Sequence, residues 1–133
     1  MAASRRWRLA GRWGALVTQG RLVDVPARGT LAAASVSHAV VAEAKTAYLA
    51  GHNTWGQLGQ GRTSVWGTAR IALPDRIVSA AAGLGFTCLA TSDALYVSGT
   101  NVRGQMGLDQ ERGSLSFQRL ALPAVRSVCA GLD

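Results

Sequence analysis

Apolar residues in this chain fall into short runs that come in pairs. Thr87-Cys88-Leu89-Ala90-Thr91 and Leu95-Tyr96-Val97-Ser98 are rich in β-branched and aromatic residues and flank Ser92-Asp93, which predicts two strands joined by a hairpin-like turn. Val36 to Val41, followed by Thr46 to Leu49, repeats the plan. After each pair comes a loop punctuated by glycines: Gly56-Gln57-Leu58-Gly59 after the first, Gly104-Gln105-Met106-Gly107 after the second. Its glycines permit positive φ or close backbone approach, and the apolar residue between them is expected to plug inward. Each unit therefore reads as strand, turn, strand, glycine loop, long connection, and a proline leading into the next strand.

The units are copies of one another. The two loops are 104 − 56 = 48 residues apart, and Tyr48, Gly51, Asn53, Gly56, Gln57 and Gly59 fall on Tyr96, Gly99, Asn101, Gly104, Gln105 and Gly107 at that offset. The segment Ala34–Ala42 lies over Ala82–Ala90 without a gap, and Pro26 lands on Pro74. One inserted residue separates Pro123 from this register, after which Ala130-Gly131-Leu132 returns to it over Ala82-Gly83-Leu84. A period of this size marks a repeat architecture in which each unit buries its apolar face against a neighbour.

These elements resemble the repeats of the regulator of chromosome condensation family. The resemblance is carried by Gly51-His52-Asn53-Thr54-Trp55-Gly56-Gln57-Leu58-Gly59-Gln60-Gly61, by Ala81-Ala82-Gly83 before a strand, and by Gly99-Thr100-Asn101-Val102-Arg103-Gly104-Gln105-Met106-Gly107. It covers roughly residues 22–133, and the histidine usual after the Ala-Gly turn is kept as His38 but replaced by Phe86 in the next unit. The resemblance implies an all-β fold, a partial β-propeller of blades made from short antiparallel strands. Gly51, Gly56, Gln57, Gly59, Gly99, Gly104, Gln105 and Gly107 are then structural blade residues. It also implies an alternative activity, guanine nucleotide exchange on a small Ran-like GTPase with chromatin contact. The matched residues are generic to blades, so none is assigned to exchange.

Charge divides the chain into a basic N-terminal segment, 1–21, and the repeats, 22–133. Arg5, Arg6, Arg8, Arg12, Arg21 and Arg28 face the single acid Asp24 within the first 28 residues, which gives 6 − 1 = +5 of the net +7. An Arg-rich, acid-poor start is similar to a mitochondrial transit peptide. The same segment also reads as a degenerate blade, because Leu9-Ala10-Gly11 and Trp13-Gly14-Ala15-Leu16 echo Leu49-Ala50-Gly51 and Trp55-Gly56-Gln57-Leu58. The two readings are compatible. A propeller of 4–8 such blades needs roughly 200 residues or more; 133 residues hold about two and a half units. Further repeats, in the same polypeptide or in other chains, are expected to complete the ring.

Chemistry-bearing motifs are sparse. The lone lysine, Lys45, follows Ala44 and closes no phosphate loop; the Gly83-Leu84-Gly85 start of a dinucleotide pattern has Cys88 in place of the third glycine. Two histidines and two cysteines without close spacing predict no metal site. His38 is expected as a core or turn-bonding histidine, His52 as solvent-facing, and Cys88 and Cys129 as small buried hydrophobes of a reducing compartment. No cofactor and no enzymatic activity are expected. No apolar run reaches the roughly 18 residues of a membrane span; Val78 to Val97, the closest, is broken by Ser79, Thr87, Thr91, Ser92 and Asp93.

Binding is what remains. Of 14 basic residues 13 are arginine, whose planar, multidonor head suits phosphate and carboxylate. The candidate contacts for RNA, or for an acidic protein surface, are the six N-terminal arginines together with the loop arginines Arg62, Arg70 and Arg103. Trp7, Trp13, Trp55 and Trp66 are the candidate stacking residues, with Trp55 assigned first to the blade loop. The expected function is a non-catalytic propeller subunit of a larger assembly, a mitochondrial ribonucleoprotein, with protein subunits and RNA as partners. Exchange on a GTPase, at a nuclear or cytoplasmic location, is the alternative.

Overall fold

The computed structural model describes residues 31–107, 113–122, 127, 128, 130 and 131, and the backbone of two short strands, 7–9 and 23–25. All regular structure among them is strand: β1 (Trp7–Leu9), β2 (Val23–Val25), β3 (Leu31–Ala34), β4 (His38–Glu43), β5 (Thr46–Asn53), β6 (Ser64–Ala72), β7 (Ser79–Ala82), β8 (Phe86–Ala90), β9 (Ala94–Gly99) and β10 (Ser114–Ala121). The β1–β2 pair is antiparallel, with Arg8 opposite Asp24. Strands β3 to β6 form one four-stranded antiparallel meander and β7 to β10 a second. The fold is a partial β-propeller, and each sheet is a blade.

The two sheets stack face to face. Along β4, His38, Val40 and Ala42 point forward to the second blade; along β8, Leu89 points back, while Phe86 and Cys88 face onward. Val40, Leu49 and Leu58 from the first blade meet Leu89, Ala94 and Tyr96 from the second in one core, closed by Leu73 and Ile77 of the connection. The central strands are thus covered on both faces, so their sequences are continuously apolar instead of alternating. Burial of Val40, Leu49, Leu58 and Leu89, all 2 % exposed or less, contributes roughly 1.5–3 kcal/mol each.

Two expectations are corrected. The long connection after each glycine loop contains the outer strand of the blade, β6 or β10, paired to β5 or β9. Both outer strands mix half-buried and exposed positions, as a sheet edge does, and β6 largely alternates between them. The first strand of the pair begins at His38, not Val36, which sits in the turn and is exposed. Ahead of it lies an innermost strand made largely of alanine, Leu31-Ala32-Ala33-Ala34 or Ser79-Ala80-Ala81-Ala82.

Candidate functional site

The two glycine loops have one internal design. The Asn53 carbonyl accepts the Gly56 N–H (3.2 Å), its side-chain Oδ1 accepts the Leu58 N–H (3.1 Å), and Gln57 Oε1 accepts the Trp55 N–H (2.9 Å). Forty-eight residues on, Asn101 accepts from Gly104 (2.9 Å) and Met106 (2.8 Å), and Gln105 from Arg103 (2.9 Å). These bonds explain why each repeat needs an asparagine and a glutamine: their side chains replace backbone partners that a tight loop lacks. Leu58 and Met106, as expected, plug inward and are buried.

The loops differ in what lies against them. A Cβ on Gly56 would sit 2.6 Å from Leu115 Cδ2, and one on Gly59 would strike the Phe117 ring, so the outer strand of the second blade lies directly on the first loop. The Gly61 N–H donates to the Leu115 carbonyl (2.8 Å) and completes that contact. Nothing among the described residues lies within 4 Å of the same atom on Gly104 or Gly107.

Beneath the first loop a chain of hydrogen bonds crosses the seam. Thr87 of the second blade donates its hydroxyl to the Gln57 carbonyl (2.7 Å), so its oxygen accepts from His38 Nε2 (2.5 Å). That leaves His38 Nδ1 to accept from the Ser37 hydroxyl (2.8 Å), whose oxygen receives the Gly85 N–H (3.4 Å). Because the Thr87 proton is committed to a carbonyl, His38 must donate from Nε2, which assigns the neutral Nε2–H tautomer. Ser98 adds a parallel bond, donating to the Gly56 carbonyl (2.6 Å). Burial, with a smaller coulombic contribution from His52, lowers the His38 pKa from 6.5 to about 4. The Ser37–His38 contact has the spacing of a nucleophile and its base, yet the imidazole is fully buried and both its nitrogens are engaged in the seam.

His38, expected as a core or turn-bonding residue, is both. His52 is half-buried rather than solvent-facing. Cys88 is buried and free, and burial raises its pKa to about 11; Cys129 lies outside the described residues. Sequence reasoning missed Ser37, Thr87 and Ser98, because a hydroxyl that joins two blades carries no local signal until the blades are in register.

The candidate binding residues are dispersed. Arg62 and Arg103 are exposed at the glycine-loop end of the blades, whereas Arg70, also exposed, lies on β6 opposite Tyr48, toward the other end. Arg8 is on β1; Arg5, Arg6, Arg12, Arg21 and Arg28 lie outside the described residues, as does Trp13. Trp66 is half-buried with its indole N–H sealed from solvent, so it is not the open platform expected of it. Trp55 is 55 % exposed although it belongs to the loop. A hollow of about 260 Å³ lies where Ala34, Ala82 and Ala130 converge from successive repeats, rimmed by Val36 and Leu84.

No family model and no curated protein matches the sequence. Among solved structures the chain is similar to human WBSCR16, with a TM-score of 0.67 at 18 % identity over 82 % of this chain. The chain spans about a third, 33 %, of the length of that protein.

Proposed function

We propose that this chain is part of a non-catalytic β-propeller scaffold that binds RNA and protein subunits within a larger assembly, a mitochondrial ribonucleoprotein. The observation that carries this reading is the division of labour among its polar groups. The buried hydroxyls of Ser37, Thr87 and Ser98, the Asn53 side chain and the His38 imidazole hold blades and loops together, while Arg62 and Arg103 on loops and Arg70 on an outer strand are exposed. Arginines at exposed positions of a β scaffold suit a polyanion, and the six N-terminal arginines add to the same sign of charge. Their acid-poor spacing is what the mitochondrial setting rests on.

The test is sedimentation of the native protein from organelle extracts. The scaffold reading expects it in heavy fractions that lighten after nuclease treatment. Sedimentation indifferent to nuclease, together with absence from organelles, contradicts the reading. A nucleotide-release assay with Ran-like GTPases separates the alternative: the scaffold leaves GDP release at its intrinsic rate.

A further inference from the structure

Trp55, exposed on the first glycine loop, is fastened at two points. Its N–H donates to Gln57 Oε1 (2.9 Å), and its indole packs on the second blade, where a Cβ at Gly85 would lie 2.9 Å from Trp55 Cδ1. Both points belong to one chain of hydrogen bonds. At one end the Gly85 N–H donates to Ser37 Oγ (3.4 Å), whose hydroxyl donates to His38 Nδ1 (2.8 Å). At the other end His38 Nε2 donates to Thr87 (2.5 Å), whose hydroxyl donates to the Gln57 carbonyl (2.7 Å). The imidazole is the central link and the one member of the chain that titrates near neutral pH.

The closed loop carries two costs. Gln57 is fully buried and its Nε2 donor has no partner, so any motion that returns this amide to water is favoured. The imidazole is also fully buried, and a proton on it is opposed while the loop covers it. Among the described residues nothing on the elements around it compensates such a charge. Strands β3 and β7 hold no titratable side chain; Glu43 ends β4 at its far end, Arg62 ends the loop at an exposed position, and His52 of β5 adds charge of the same sign. Tyr48, Cys88 and Tyr96, on β5, β8 and β9, stay neutral in acid.

We propose that His38 is a proton-operated clasp: in acid it lets go of the first glycine loop, which comes away from the second blade with Trp55 while both sheets stay folded. Release brings the charged imidazole and the Gln57 amide to water together. The second loop lacks the device, because Phe86 stands at the place of His38. The open state takes up the proton more readily than the closed one, at 6.5 against about 4. The opening equilibrium is therefore flat above pH 6.5 and rises on the order of 100-fold by pH 4.5.

Amide hydrogen exchange of the native protein, followed by NMR and corrected for the intrinsic rate at each pH, measures that equilibrium. The amides that cross the seam, Gly61 (bonded to the Leu115 carbonyl, 2.8 Å) and Gly85, are expected to lose protection by that factor between pH 7.5 and 4.5. Amides between β5 and β6, such as those around Leu49 and Ala69, are expected to stay more protected than these at every pH. In His38→Phe and His38→Gln, neutral throughout the range, protection at the seam no longer follows pH. Protection at Gly61 and Gly85 that is independent of pH in the parent overturns the clasp. So does protection equal to that of the sheet amides, which would mean that the seam opens only when the whole protein unfolds. Neither of these outcomes needs a variant. The same acid loss in both variants overturns it as well, since another group would then carry the proton.

Discussion

Acidifying the protein from pH 7.5 to 4.5 tests the blade seam at one proton. In the folded state His38 accepts a hydrogen bond at Nδ1 from Ser37 and donates one at Nε2 to Thr87, inside a fully buried pocket. Protonation puts a second N–H where an acceptor is needed and a charge where no water reaches. The folded pKa, about 4, lies below the unfolded value of 6.5, so the unfolded chain takes up the proton more readily. The stabilisation is complete above pH 6.5 and is lost as pH falls toward 4. At 1.36 kcal/mol for each pKa unit, the loss amounts to about 3 kcal/mol. A domain of this length then melts on the order of 10 °C lower. Denaturant unfolding across that range measures the slope, and His38→Phe, which copies Phe86 at the same place in the next repeat, supplies the control. The variant is expected to be about 1–3 kcal/mol less stable at pH 7.5, because Ser37 and Thr87 both lose the imidazole as a partner, but flatter with pH. An identical acid slope in parent and variant refutes the argument.

Three further outcomes follow from local geometry. Gly56→Ala and Gly104→Ala place an alanine at similar positive φ, 81° and 72°, yet only the first drives its methyl into Leu115; denaturation should show a loss of about 3 kcal/mol for the first and about 1 for the second, and equal losses would mean that the loop contact is not part of the blade interface. Ala44, in the β4–β5 turn at φ 51°, is the one non-glycine residue with positive φ among those described, and Ala44→Gly should raise stability by up to about 1 kcal/mol in the same assay. Cys88, buried and with its pKa pushed up to about 11, should resist a thiol reagent at pH 8 until denaturant is added, and mass mapping of native labelling at that residue would contradict its burial.

Legibility in the sequence followed the number of faces each strand covers. Strands β4, β8 and β9 are buried on both sides and β5 over most of its length, so their apolar runs announce them, and the 48-residue echo adds the loops. The outer strands escaped because half their positions meet solvent and carry Ser, Gln and Arg, with Gly67 in mid-strand. The innermost strands escaped for the opposite reason. Successive repeats converge there, on Ala34, Ala82 and Ala130, and the small residue that fits such a convergence is a poor strand former elsewhere. The candidate binding residues were half legible: Arg62, Arg103 and Trp55 stand out as residue types, but the packing of the Trp55 indole against Gly85 belongs to the next repeat.

Two loops of one design do not make interchangeable seams. At the first seam His38 offers an acceptor and a donor, so the facing residue must carry a hydroxyl that turns one lone pair to the imidazole and its proton to the Gln57 carbonyl; Thr87 does both. At the forward face of the second blade Phe86 takes the place of His38, and it gathers with Ala81, Cys88, Val97 and Met106 into an apolar cluster. A hydroxyl facing Phe86 gains no imidazole partner, while an aliphatic side chain buries area at about 25 cal/mol per Å². The first seam is therefore directional and sensitive to acid, and the forward face rewards apolar contact at any pH. A repeat that fits one would leave an unpaired hydroxyl or an unpaired imidazole at the other, so the order of blades is written in the residue that follows each Ala-Gly or Ala-Ser turn by a few positions, not in the glycine loops that make the repeats recognisable.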